Sequence, residues 1–159
     1  MERYENTGFE LLRGKPVFTG KILGGCIDSI YDIFDNSRFE DTVSLCKKYD
    51  LFPSLKEWKN KILLLETSEN KPEPKLYRKM IGALKDYGIF DVLSGVLVGK
   101  PQDEVYYEEY KQILLEEIGD KDLSVVYNIN VGHATPRCII PFGVEAEVNV
   151  DKQVIAFDN

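Results

Sequence analysis

Continuous apolar runs occupy the centre of this chain. Three of them show no polar alternation, which is typical of strands covered on both faces in parallel or mixed sheets. These runs are residues 61–66, 96–98 and 123–128. A further strand is predicted over residues 18–23, where Gly24 and Gly25 end the pattern before a helix over residues 27–34. The sequence thus predicts at least four strands, of which three belong to the interior of a sheet.

Apolar residues at helical spacing predict two longer helices between these runs. The first begins after the proline-containing segment 71–74 and ends at Gly88, and its predicted apolar face consists of Leu76, Met80, Ala83, Leu84 and Tyr87. The second has Asp103 as its N-cap and ends before Gly119, and its predicted apolar face contains Tyr106, Tyr110, Ile113 and Leu114. The order strand, helix, strand, helix, strand indicates parallel neighbours joined by right-handed crossovers.

The last part of the chain has a different pattern. Short apolar runs at residues 138–142, 144–150 and 153–157 are separated by Gly143 and by the pair Asp151 and Lys152. Such spacing predicts an antiparallel meander. The fold class expected for residues 1–159 is therefore α/β, a single domain with a mixed parallel and antiparallel sheet and flanking helices.

Composition narrows the functional classes. The chain has 159 residues, 43% of them hydrophobic and 30% charged, which suits one globular domain with a real core. Its 20 Lys and Arg against 27 Asp and Glu give a net charge of −7, which argues against nucleic acid or an anionic membrane as the main partner. No apolar run approaches the roughly 20 residues of a membrane span, and the start lacks a secretory h-region.

Cysteine usage and the first residues give two further expectations. Cys26, Cys46 and Cys138 form no CxxC pair and cannot all pair within one chain, which suits a reducing cytoplasm. A cytoplasmic protein is therefore expected, with Cys26 unreactive and no disulfide. Residues 4–9 read as the middle of a loop, so we expect a domain that belongs to a longer polypeptide.

Two residues stand out as candidates for chemistry. His133 is the only histidine and follows an apolar strand in a loop shaped by Gly132 and Pro136, the kind of position where mixed α/β sheets collect ligands. Glu66 ends a buried strand. A glutamate bound to a histidine can fix its tautomer and stabilise the imidazolium, as in a Ser-His-acid triad. A structural histidine and a solvent-facing carboxylate at the strand tip are the alternative interpretations.

A nucleophile is harder to find. The seven serines lie outside any G-x-S-x-G turn. Cys26 follows two glycines at a predicted helix start, so a Cys26–His133 hydrolase is one hypothesis, although a buried free cysteine is more common. A zinc site is disfavoured because scattered cysteines and one histidine lack the usual ligand spacing.

Four segments of the chain form a recognisable set: Leu-Leu-Glu-Thr-Ser-Glu at 64–69, Asn-Val-Gly-His-Ala-Thr-Pro at 130–136, Gly-Lys-Ile-Leu-Gly-Gly at 20–25 and Pro-Phe-Gly-Val at 141–144. Together they resemble the C-terminal half of the LD-carboxypeptidase family of serine peptidases. The first segment is closest to the branch that contains the microcin C immunity protein. The resemblance covers nearly the whole chain in the expected order.

The resemblance implies a division of labour between two domains. An N-terminal flavodoxin-like domain, which precedes this chain in the parent polypeptide, would supply the serine and the oxyanion hole. A C-terminal domain of the swivelling β/β/α type would supply Glu66 and His133. The family cleaves an amide beside a free carboxylate, in murein-type peptides or aminoacyl-nucleotide antibiotics, and needs no metal or cofactor. A homodimer of the parent is also implied, and the isolated chain is expected to be inactive.

Three further positions are implied or suggested as substrate contacts. Phe9 lies near a position where the immunity branch has an aromatic residue, Gly25 belongs to the Gly-Gly segment, and Lys100 follows a predicted parallel strand at the cleft rim. Cys26 stands where the family commonly has asparagine. Any role of that asparagine in the cleft therefore does not carry over to Cys26. A non-catalytic module that binds a peptide or nucleotide on the same fold is the main alternative.

Overall fold

A seven-stranded sheet forms the centre of the computed structural model, which describes residues 7–119 and 122–158. The strand order is β1-β5-β4-β3-β2-β6-β7. The strands are β1 (Glu10–Arg13), β2 (Val17–Cys26), β3 (Ile62–Glu66), β4 (Gly95–Gly99), β5 (Ser124–Ile129), β6 (Glu145–Asn149) and β7 (Val154–Phe157). Strands β2 to β5 are parallel, whereas β1, β6 and β7 pair antiparallel with their neighbours. The mixed sheet and the α/β class are confirmed.

Five α-helices accompany the sheet among the described residues. They are α1 (Ile27–Tyr31), α2 (Thr42–Lys48), α3 (Leu55–Trp58), α4 (Pro74–Tyr87) and α5 (Tyr107–Ile118). Short 3₁₀ turns cover Ile89–Asp91 and Gln102–Glu104. None of the helices in the described part of the chain combines the length and the apolar character needed to cross a membrane.

The interior strands are apolar throughout because both sheet faces are covered. On one face, α4 and α5 pack on alternate strand residues such as Leu63, Leu65 and Val96. On the other face, the sheet curls and β6 contributes Ala146 and Val148 to a second cluster with Ile62 and Leu64. A strand between two apolar layers has no solvent-facing position, which explains the uninterrupted runs.

Helix α4 is confirmed, and its predicted apolar face is confirmed in part, at Met80 and Leu84. The helix has proline in its first turn and ends at Gly88, which adopts the left-handed conformation with φ of 86°. Its buried stripe is Tyr77, Met80, Ile81 and Leu84, whereas Leu76 is 40% exposed. The stripe follows i, i+3, i+4, i+7 spacing from Tyr77, so Tyr77 and Ile81 take the positions that the prediction gave to Leu76 and Ala83.

The start of α5 corrects a prediction. Asp103 is not its N-cap: α5 begins at Tyr107, and Asp103 lies in the preceding 3₁₀ turn with φ of 54°. The Asp103 carboxylate instead binds Lys71 Nζ at 2.6 Å. Tyr106 also has positive φ, which prevents the helix from extending backwards. The predicted end before Gly119 is confirmed.

Three other features also differ from the sequence prediction. Strand β2 continues through Gly24 to Cys26, because a Cβ at Gly24 would lie 2.0 Å from the Leu64 carbonyl oxygen and only glycine permits that approach. Helix α1 starts at Ile27, as predicted, but ends at Tyr31 instead of Phe34. Residues 138–142 form a loop instead of a strand, in which Cys138 N donates to the carbonyl of Asn130.

The curl brings the two ends of the described chain together. The amide side chain of Gln153, between β6 and β7, binds both backbone groups of Phe9: its Oε1 accepts from the Phe9 N–H, and its Nε2 donates to the Phe9 carbonyl at 3.2 Å. The first and last strands of the sheet are thereby linked through one side chain.

Candidate functional site

The carboxyl edge of the parallel strands gathers the candidate residues. Glu66 is the last residue of β3 and pairs in register with Cys26, the last residue of β2. Lys100 follows β4 directly, and His133 lies in the loop after β5. Because parallel strands end at the same edge, four consecutive strands deliver side chains to one region.

Glu66 and His133 are in direct contact. His133 Nδ1 lies 2.7 Å from Glu66 Oε2, and since a carboxylate only accepts, Nδ1–H is the donor. The Glu66 side chain is only 10% exposed, whereas that of His133 is 36% exposed. The predicted proximity of these two residues, which are 67 positions apart, is confirmed. Their catalytic role remains a prediction.

Two glycines make room for the buried carboxylate. A Cβ at Gly132 would lie 2.4 Å from Glu66 Oε2, and Gly132 has φ of +85°. A Cβ at Gly99 would lie 3.0 Å from Glu66 Cβ and 2.9 Å from the Val131 carbonyl oxygen. The loop after β5 can therefore lie directly against Glu66, and this contact directs His133 toward the carboxylate.

A second carboxylate contacts the other ring nitrogen. Glu69 Oε2 lies 3.0 Å from His133 Nε2, and the Glu69 side chain is 65% exposed. The pKa of His133 is raised, mainly by the hydrogen bond to Glu66, with smaller contributions from the Glu66 and Glu69 charges; partial burial and Arg137 act against the rise. Sequence reasoning missed Glu69 as a site residue, because its role depends on a contact in space with His133.

The segment after β3 is fixed by Asp28 of α1. Asp28 Oδ2 accepts from the Ser68 N–H at 3.0 Å, and Asp28 Oδ1 accepts from Ser68 Oγ at 2.8 Å. Thr67 and Ser68 are both buried. Sequence reasoning also missed Asp28, because its partner becomes evident only once Cys26 is known to lie opposite Glu66.

Cys26 is not arranged as a nucleophile. Its sulfur donates to Asp28 Oδ2 at 3.6 Å. Burial raises the pKa of the Cys26 thiol, and the nearby negative charges of Glu66 and Asp28 raise it further. A thiolate is disfavoured in such surroundings, which weighs against the cysteine hydrolase. The three cysteines are free thiols.

The three candidate substrate contacts differ in position. Lys100 is only 5% exposed, and its Nζ lies 3.5 Å from Glu104 Oε1. Gly25 faces open space. Phe9 lies in a cleft of about 390 Å³ together with Asn130, Ile140 and Phe157, and Asn130 is three residues from His133. Along the sheet edge, Lys100 follows the strand between those of Glu66 and His133, and Gly25 lies on the neighbouring strand β2. Phe9 lies in an apolar cleft lined also by Asn130.

The Glu66–His133 pair joins a carboxylate to a histidine, two groups that can hold and transfer a proton. The carboxylate holds one nitrogen of the imidazole, and the opposite nitrogen is directed away from it. Among residues 7–119 and 122–158, no three or more His, Cys, Asp and Glu side chains group to hold a metal ion. The structure thus defines the class: a mixed α/β domain that presents a buried carboxylate bound to a histidine.

Comparisons with known proteins identify the family. Residues 19–148 match the profile of the LD-carboxypeptidase C-terminal domain, and the chain belongs to this family. The resemblance found in the sequence motifs is thereby confirmed. A curated relative from Treponema pallidum (strain Nichols), named provisionally as a carboxypeptidase, is 28% identical over 153 residues, which are 94% of this chain and 40% of the relative.

Solved structures agree with this assignment. An MccF-like protein from Streptococcus pneumoniae, crystallised in complex with AMP, is 59% identical with a TM-score of 0.95, over 98% of this chain and 45% of that protein. MccF in complex with glutamyl sulfamoyl guanosine is 20% identical with a TM-score of 0.74, over 98% and 42%, and shares the fold. The chain therefore spans less than half the length of these relatives.

Proposed function

We propose that this chain is the C-terminal domain of a serine carboxypeptidase-like hydrolase and supplies the Glu and His of a Ser-Glu-His triad. The observation that carries this proposal is the 2.7 Å contact between Glu66 and His133 at the carboxyl edge of the parallel strands. A nearly buried glutamate on Nδ1 leaves Nε2 as the nitrogen that exchanges protons, which is the arrangement a triad requires.

In the proposed mechanism, His133 acts first as a base and then as an acid. Nε2 takes the proton of the serine hydroxyl while the serine oxygen bonds to the amide carbonyl carbon. The same proton passes to the leaving nitrogen as the carbon–nitrogen bond breaks, and water then releases the acyl group by the reverse sequence. Glu66 stays ionised, holds the Nδ1–H tautomer and stabilises the imidazolium formed in both halves.

The serine would belong to an N-terminal domain of the same polypeptide. The chain covers 40% to 45% of its relatives, which leaves room in them for a further domain. By itself, the chain would then be inactive, because an acid–base pair without a nucleophile has nothing to activate. A homodimer of the parent remains part of the proposal, taken from the family resemblance.

The substrate would be an amide next to a free carboxylate, in a murein-type peptide or an aminoacyl nucleotide. The AMP bound to the 59% identical pneumococcal protein favours the nucleotide alternative. Lys100 is a cation at the sheet edge that suits a carboxylate or phosphate, although it is buried and pairs with Glu104 in this structure. A Cβ at Gly25 would meet nothing within 4 Å, which leaves room for a ligand there. Phe9 offers an aromatic face in the apolar cleft, where a base could stack.

Turnover by the parent polypeptide tests this function. Purified parent is assayed against an LD-linked peptide and an aminoacyl adenylate analogue. His133→Ala should lower turnover by about 10⁴-fold or more, the scale of removing a triad member. Glu66→Gln should lower it less, since the amide oxygen still accepts from Nδ1–H but carries no charge.

A matched variant separates the alternatives. Cys26→Ser retains a donor toward Asp28 and should keep turnover close to that of the wild type. Loss of turnover in Cys26→Ser as well as in His133→Ala would favour the Cys26–His133 hydrolase and contradict the serine proposal. Full turnover in His133→Ala would contradict both. Binding of the nucleotide analogue without any turnover of either substrate would instead support the non-catalytic binding module.

A further inference from the structure

Both ring nitrogens of His133 bind a carboxylate in this chain. Nδ1 lies 2.7 Å from Glu66 Oε2, and Nε2 lies 3.0 Å from Glu69 Oε2. Carboxylate oxygens accept hydrogen bonds and do not donate them, so the arrangement needs a proton on each nitrogen. An imidazole in this state is a cation without a free lone pair, and it cannot act as a base.

The Glu69 contact competes with the proposed mechanism. Nε2 has one in-plane direction for a hydrogen bond. In a triad this direction is used to accept the serine O–H, whereas here it is used to donate to Glu69. The two partners exclude each other, because they need the same site on Nε2 in opposite protonation states.

The two carboxylates are held very differently. Glu66 is buried at the end of β3 and is packed against Gly132. Ser68, two residues on, is fixed by both oxygens of Asp28. Glu69 lies directly after this anchor and its side chain is 65% exposed. The anchor therefore keeps Glu66 in position, while the side chain of Glu69 can leave His133 by rotating into solvent.

We propose that Glu69 is a displaceable cap on Nε2 of His133, which keeps this nitrogen protonated in the separate chain and gives way to the serine hydroxyl when the serine-bearing domain docks. Only the displacement of Glu69 by the serine hydroxyl rests on the proposed function. An exposed ion pair is weak and easily exchanged, as a reversible cap must be. The cap lowers the fraction of His133 that can act as a base until the nucleophile is in place.

The groups that face His133 define the expected titration. They are Glu66 at the end of β3, Glu69 in the following loop, and Arg137 in the loop that carries His133 itself. Glu66 and Glu69 raise the pKa of His133, and Arg137 lowers it. Removing the charge of Glu69 must therefore lower the pKa, so that the neutral imidazole forms at a lower pH.

The first test uses the 159-residue chain as it is. Because His133 is the only histidine, ¹⁵N-labelled imidazole gives a single pair of signals whose pH titration needs no assignment. We expect Glu69→Gln and Glu69→Ala to lower the midpoint by about 0.2 to 0.7 pH unit, the size set by an exposed ion pair. Glu116→Gln, which removes an equal charge from the Arg78 pair on the outer helices, should leave the midpoint unchanged.

Midpoints that coincide in wild type, Glu69→Gln and Glu69→Ala would overturn the cap. Circular dichroism of each variant verifies the fold, which an exposed side chain at position 69 is not expected to disturb.

The second test addresses displacement in the parent polypeptide. With the serine hydroxyl on Nε2, the acid limb of the kcat/KM pH profile should be the same for wild type and Glu69→Gln. An acid limb that shifts with Glu69→Gln would show that Glu69 stays on His133 and would overturn the displacement. A parent that hydrolyses nothing would contradict the proposed function, and the titration of the separate chain would still decide the cap.

Discussion

A side chain at position 132 would occupy the space that the Glu66 carboxylate fills. Its Cβ would lie 2.4 Å from Glu66 Oε2, which is far below any van der Waals contact, and φ of +85° is unfavourable for residues other than glycine. Glycine at position 132 therefore permits both the backbone conformation of the loop and the position of the Glu66 carboxylate.

Gly132→Ala should damage the site more than the fold. The left-handed conformation alone costs about 1–2 kcal/mol of unfolding free energy. The added methyl group also pushes Glu66 away from His133, so the pKa of His133 should fall toward its ordinary value. Urea denaturation and the ¹⁵N titration of His133 measure the two effects.

Gly143→Ala is the matched control for this substitution. Gly143 has a similar φ of +76°, but a Cβ there would meet nothing within 4 Å. It should show a similar loss of stability with an unchanged His133 titration. If both alanine variants leave the titration unchanged, Gly132 does not control the position of Glu66.

The sequence predicted two of the four residues that meet at the site. Glu66 and His133 could be found because each ends or follows an apolar run, and parallel strands bring such positions to one edge. Glu69 and Asp28 could not be found in this way. Glu69 has its role through a contact in space with His133, and Asp28 through a register between β2 and β3 that no local pattern encodes.

At the scale of elements, Asp28 connects the start of α1 to the loop after β3. Its two oxygens bind the N–H and the hydroxyl of Ser68, so one side chain joins segments that are 40 residues apart. The loop that it holds carries Glu66 on one side and Glu69 on the other. The orientation of both carboxylates toward His133 depends on this connection.

Asp28→Asn should therefore loosen the site. The variant loses the charge and one of two acceptors, which should cost about 1–2 kcal/mol of unfolding free energy. The pKa of His133 should fall as Glu66 and Glu69 become less well oriented. Denaturation and the His133 titration are the measurements.

Ser54→Ala is a control variant in another element, with a similar expected loss of unfolding free energy. It removes the capping box at the start of α3, which is worth about 1 kcal/mol. The His133 titration should then equal that of the wild type. Equal titration shifts in Asp28→Asn and Ser54→Ala would mean that general destabilisation, not the Ser68 connection, moves the pKa.

The elements that sequence could predict are those with a strong apolar pattern. Strands β3, β4 and β5 and helix α4 have buried stripes or runs, so burial and sequence agree. Helix α2 has no buried residues, and α3 has only four residues, so neither produces a periodic signal. The short strand β1 is half-buried and depends on its pairing with β5.

At the scale of the whole molecule, two covered sheet faces give the chain a complete interior. We therefore expect the 159-residue chain to unfold cooperatively in urea and to show no hydrolysis of either candidate substrate, because it would lack the nucleophile. Denaturation followed by tryptophan fluorescence is well suited, since Trp58 is the only tryptophan and is buried.

Turnover by this chain alone, abolished by His133→Ala, would contradict the assignment of the nucleophile to another domain. The His133→Ala comparison is essential, because it separates activity of the chain from that of a contaminating peptidase.

The bond between Phe9 and Gln153 has a consequence for the order of folding. It joins residues 144 positions apart, so it closes a loop that contains almost every strand of the sheet. The entropy lost on closing so long a loop is recovered only after the strands between its ends have paired. The edges of the sheet should accordingly meet late on the folding pathway, after the parallel centre has formed, and the cleft that contains Phe9 would be among the last features to acquire its shape.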